Sequence, residues 1–168
     1  MAPYPRRAGV PHSAYGGHLH LIVSEPDRLQ SVLSMSGRVE VNLTVRDPAS
    51  NAAWYSELLG LEELYDFTGA DGRMRYIALV VPKSQFVLCL VGHREYTGER
   101  FSEFRTGLDH LEFLVDRKDD LNEWEERLNQ LQIPNSGVKQ PEHTRNAMLT
   151  FRDPDNIQLE FFWRAPTR

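Results

Sequence analysis

Three side chains able to hold a cation or move a proton sit where strand alternation leaves them on the polar side of otherwise oily segments: Glu40 in VEVNLTV, His110 in DHLEFLV and Glu160 in IQLEFFW. Successive residues of a strand point to opposite faces, so Glu40 is directed away from the core that Val41, Leu43 and Val45 face. A charge on such a strand is costly to bury unless something pairs it. One imidazole and two carboxylates would suit a divalent ion such as Mn, Fe, Ni, Co or Zn. Plainer readings stand beside this one: His110 as a hydrogen-bonded wall residue, Glu40 as part of a solvated strand face. Cys89, between Leu88 and Leu90, is either a small buried side chain or a thiolate ligand. His143, in the loop PEHTRNAML, offers acid–base chemistry or is simply exposed, and His93 in VGHRE has less to recommend it. His18 and His20 would share one face of a short strand in HLHLIV, as a metal pair or as part of a solvated tail.

The elements that position these residues follow from a repeated unit. In residues 38–61, a strand is followed by Asp47-Pro48, a helix start in which the carboxylate caps free N–H groups and proline sacrifices no hydrogen bond. Trp54, Leu58 and Leu61 recur at helical spacing, and Gly60 is a natural stop. A shift of 70 positions restates the unit: Val41, Leu43 and Val45 fall on Leu111, Phe113 and Val115, Trp54 and Leu58 fall on Trp124 and Leu128, and Glu40 falls on His110. This is an internal duplication, in which each half needs the other to complete a core.

Residues 63–67, 74–81 and 85–91 read as strands separated by turns, completing module one (38–92) as βαβββ. A charged connector, 93–106, leads to module two (107–164). There Asp119 or Asp120 can cap a helix bearing Leu121, Trp124, Leu128 and Leu131, and strands follow at 138–139, 147–151 and 157–163. Residues 1–35 are an irregular extension rich in Pro and Gly, and residues 36–168 form one domain. Met35, just before the first organised strand, is a candidate true start.

The chain of 168 residues carries a net charge of −5, which offers no attraction to nucleic acid or an anionic membrane and mildly favours a cationic small ligand. Its single cysteine excludes an intrachain disulfide and fits a cytoplasmic setting.

VNLTVRDPASNAAWYSELLGL, GLDHLEFLV and LTFRDPDNIQLEFF resemble the corresponding segments of the vicinal oxygen chelate superfamily, which includes glyoxalase I, extradiol dioxygenases, and fosfomycin and bleomycin resistance proteins. The resemblance spans residues 38–164. It implies an α+β fold in which two βαβββ modules form an open, cup-shaped mixed sheet, and a homodimer with the cup made inside one chain or across two. It further implies that Glu40, His110 and Glu160 hold the metal, with Glu40 replacing the usual histidine and Cys89 standing where a glutamate is common. Glu160 and His143 are then the catalytic candidates, and Asn42, Arg75, Tyr76 and Glu112 the substrate contacts. Positions left open on the ion would chelate adjacent oxygens of a small molecule, as in a lyase, an isomerase or a dioxygenase. The competing expectation is a metal-free protein that sequesters a drug, as in bleomycin resistance, using aromatic surfaces. A third is a module without turnover.

Overall fold

The computed structural model describes residues 39–82, 84 and 86–167; the expectations for His18, His20, Met35 and the extension lie outside them. Nine elements follow one another: β1 (Val39–Thr44), α1 (Pro48–Leu59), β2 (Glu62–Thr68), β3 (Met74–Val80), β4 (Phe86–His93), β5 (Leu111–Val115), α2 (Asp120–Gln130), β6 (Ala147–Arg152) and β7 (Gln158–Trp163).

Module one is βαβββ. Asp47 caps α1 by accepting from the backbone N–H of Ala49 and Ser50, and Gly60 closes the helix at φ +67°, the left-handed region open to glycine. The strands form one sheet in the order β1-β4-β3-β2, with β1 parallel to β4 and the other neighbours antiparallel. The buried stripe of α1 is Ala52, Tyr55 and Leu58, whereas Trp54 is only partly buried.

Module two departs from the expected pattern. Its sheet has three strands, β5-β7-β6, and residues 138–139 contribute only an isolated bridge, Lys139 to Met148, beside a second bridge from Asn135 to Phe151. Gly137 lies at φ +70°, and Pro134 and Pro141 donate no N–H, so a continuous ladder is interrupted here. Asp119 makes no capping bond. Asp120 instead accepts from the backbone N–H of Arg117 at 2.9 Å.

The modules share one core. Leu43, Leu79, Leu88 and Leu90 from the first sheet join Leu149, Leu159 and Phe161 from the second. Trp124 stacks on Phe161 with ring centres 4.3 Å apart, and Phe86 meets Phe113 edge-on across the module boundary. A buried polar joint reinforces it around the DPDN turn. Tyr55 donates its hydroxyl to Asp153 at 2.9 Å, Asn51 donates to Asp155 at 2.9 Å, and Arg46 pairs with Asp155. Among the described residues no helix is long and apolar enough to cross a membrane.

Candidate functional site

Because inward residues of each sheet go to the shared core, the alternate residues line an open face. On module two that face carries Glu112 and Leu114 from β5, Glu160 and Phe162 from β7, and Met148 and Thr150 from β6. Glu112 and Glu160 are direct partners in the parallel β5–β7 ladder and therefore project side by side. His110 stands just before β5, two residues from Glu112. Ligand atoms of His110, Glu112 and Glu160 all lie within 4.8 Å of one another.

Burial differs sharply within the trio. Glu112 is exposed and His110 half-buried, but Glu160 is only 7% exposed. Burial pushes the Glu160 carboxyl above its ordinary range; His110 pulls it down and Glu112 pushes it further up. Among the described residues no hydrogen bond reaches its carboxylate. On the other side of the imidazole, Asp109 Oδ1 lies 2.6 Å from His110 Nδ1, a contact in which Nδ1–H donates to the carboxylate, so that in the neutral ring Nε2 is the nitrogen able to bind a metal.

A divalent ion of this kind needs mixed N and O donors within reach of one centre. A carboxylate on the largely buried residue Glu160, an imidazole oriented by a neighbouring carboxylate, and a second carboxylate within reach make a mixed N/O donor set suited to such an ion. They fit.

The remaining sequence candidates are distributed elsewhere. Glu40 lies outside the trio, exposed on β1 near Cys89. Cys89 is fully buried; burial pushes its thiol up, Tyr76 opposes this, and Glu40 adds to it. Tyr76 stacks on Tyr65 at 5.6 Å, and burial raises its hydroxyl well above the ordinary value. Arg75 cannot share the Tyr76 face, being its neighbour in the strand. It turns to the α1 side, beside Ala49 and Ala52, and is held by Asp66 through bonds of 3.1 and 2.7 Å. Arg75, expected with Tyr76 among the substrate contacts, therefore lies on the opposite side of β3 from it. Asn42 lines a hollow of about 410 Å³ between β1 and the connector, with Thr44, Phe101, Arg105 and Leu108, which neither His110 nor Glu160 borders. His143 is exposed in its loop and outside the trio.

The family resemblance puts Glu112 among the substrate contacts, and nothing in the sequence singles out Asp109. The signal for Glu112 was present in DHLEF, since positions 110 and 112 share a face by alternation. That Glu160 would be the partner of Glu112 required the strand register.

The family model described as Glyoxalase/Bleomycin resistance protein/Dioxygenase superfamily matches residues 37–161. Among solved structures, the chain is similar to a glyoxylase/bleomycin resistance protein/dioxygenase domain from Frankia sp. EAN1pec, at 34% identity and TM-score 0.69, covering 79% of this chain and 100% of that one. It is also similar to a glyoxalase family protein from Enterococcus faecalis, at 25% identity and TM-score 0.59, covering 74% and 94%. The fosfomycin resistance protein FosX from Listeria monocytogenes, in complex with Mn(II) and sulfate, shares the fold at 19% identity and TM-score 0.57, covering 79% and 95%. No curated protein matches.

Proposed function

Since the chain belongs to the glyoxalase/bleomycin resistance protein/dioxygenase superfamily, we propose that it is a divalent-metal-dependent enzyme acting on a small molecule with vicinal oxygens, by lyase, isomerase or dioxygenase chemistry. The observation that carries this reading is the convergence of donor atoms of His110, Glu112 and the largely buried residue Glu160 within 4.8 Å of one another. His110 and Glu160 would hold the ion. When bound, a Mn, Fe, Ni, Co or Zn ion would act as a Lewis acid toward the substrate oxygens.

The chain's own residues supply the rest. Asp109 holds the imidazole in the tautomer that presents Nε2. Leu114, Phe162 and Met148 continue the same open face as an apolar wall, which seats the carbon part of a substrate and excludes water beside the polar trio. The open face of module one, with Glu40, Asn42 and Tyr76, is a surface that a second copy would bring to the site in a homodimer. Exposure of Leu114 on one sheet and Phe67 on the other supports such an association. A cytoplasmic location belongs to the same reading.

Elemental analysis of the untagged protein tests it, alongside His110→Ala and Glu160→Ala. Stoichiometric metal in the parent, lost in both folded variants, is the expected result. Absence of metal after incubation with each candidate ion would sink it.

A second reading has its own observation. The Tyr65–Tyr76 stack with the exposed Phe67 nearby offers an aromatic surface for a metal-free drug-binding protein. Saturable binding of a cationic aromatic drug that EDTA leaves unchanged would favour it.

A further inference from the structure

We infer that Glu112, rather than Glu40, is the third protein ligand of the ion, so that module two of a single chain holds the complete set of His110, Glu112 and Glu160. The inference rests on the metal-dependent reading above and goes beyond it by assigning the third ligand.

In the β5–β7 ladder Glu112 and Glu160 are direct partners on one face. Like charges opposed on neighbouring strands repel, and here one of the two is nine-tenths buried. Elsewhere in the fold, exposed and buried carboxylates have found cations: Asp66 holds Arg75, Glu103 holds Arg152, Asp155 holds Arg46. Among the described residues neither Glu112 nor Glu160 has an ion pair with Lys or Arg. A divalent cation between them would turn the repulsion into attraction.

His110 contributes the imidazole from two residues before Glu112, and the three donors lie within 4.8 Å of one another, so small side-chain adjustments would bring them onto a single ion. Asp109 is the positioning residue, since its contact to Nδ1 directs the ring's other nitrogen. Glu40 lies in the other sheet, where Cys89 feels its charge. Within a chain it is therefore not part of the set, and a site completed by Glu112 does not depend on a second copy.

Mn(II) alone is the probe. The metal-free full chain is titrated by calorimetry, with free Mn(II) followed by electron paramagnetic resonance, for the parent, Glu112→Gln, Glu40→Gln and His110→Ala. Thermal melting in EDTA establishes that each variant is folded. The parent is expected to bind a single Mn(II) per chain. Glu112→Gln is expected to weaken binding roughly tenfold or more, with a melting temperature in EDTA at or above the parent's because the repulsion is gone. Glu40→Gln should leave binding unchanged. If Glu112→Gln binds as the parent does while Glu40→Gln loses affinity, the third ligand comes from module one: the inference is overturned and the metal-dependent function survives. If the folded parent binds no Mn(II), or His110→Ala binds as well as the parent, both fall.

Discussion

Replacing Glu160 by glutamine should act in opposite directions on the metal-free and the metal-loaded protein. In the metal-free fold Glu160 is 7% exposed as a residue, and its carboxylate receives no hydrogen bond from a described residue and faces Glu112, with His110 as its favourable neighbour. Desolvation and the facing Glu112 disfavour the charged carboxylate and His110 offsets part of this, which leaves about 1 kcal/mol for the neutral, similarly shaped glutamine to recover. For a domain of this size that is a rise in Tm of about 4 °C in EDTA. With Mn(II) at about 100 times its Kd, the parent gains about 2.7 kcal/mol, and a variant with affinity reduced about a hundredfold gains only about 0.4 kcal/mol. The parent's Tm should then rise by about 10 °C on adding metal and the variant's by about 2 °C, reversing their order. Differential scanning calorimetry with EDTA and with Mn(II) reads both arms. A variant that melts below the parent in EDTA, or that gains as much from Mn(II), would refute the reasoning, because Glu160 would then be an ordinary structural carboxylate.

Three further outcomes concern the scaffold. Tyr55→Phe removes the hydroxyl that Asp153 accepts at 2.9 Å and should cost about 1.5–3 kcal/mol by urea denaturation with an unchanged m-value; a loss of only a few tenths would show the joint to be dispensable. Burial raises the Asp153 carboxyl from 3.8 to about 6, so between these values the folded state binds more protons than the unfolded. Its contribution to stability accordingly falls as pH rises through that window and is level above it. The difference amounts to about 3 kcal/mol. Comparing urea midpoints of the parent and Asp153→Asn from pH 4 to 7 isolates this slope from the oppositely signed effects of Asp47 and Glu103, whose carboxyls are held low; parallel curves would contradict it. Gly92→Ala would bring a methyl to 2.7 Å from Pro48 Cγ and 2.8 Å from Cδ, overpacking the contact between β4 and the start of α1. A loss of about 1–3 kcal/mol is expected, and a neutral result would mean that Pro48 yields freely.

Much of this protein is written locally. The cap at Asp47, the left-handed stop at Gly60, the alternation of β1, β5 and β7 and the recurrence of the unit 70 positions later depend on neighbours in the chain, so the α+β modules and the polar placement of His110 and Glu160 were legible from sequence. Alternation reveals which face a side chain takes but not which strand becomes its neighbour. The partnership of Glu112 with Glu160, the separation of Glu40 from both, and the turn of Arg75 toward Asp66 were decided by ladder register and sheet order. Packing between the modules decided the rest: Tyr55, outside the apolar spacing of α1, is buried because Asp153 of the distant turn accepts its hydroxyl. A polar atom can be hidden only where a partner meets it, and that meeting is a property of the assembled core.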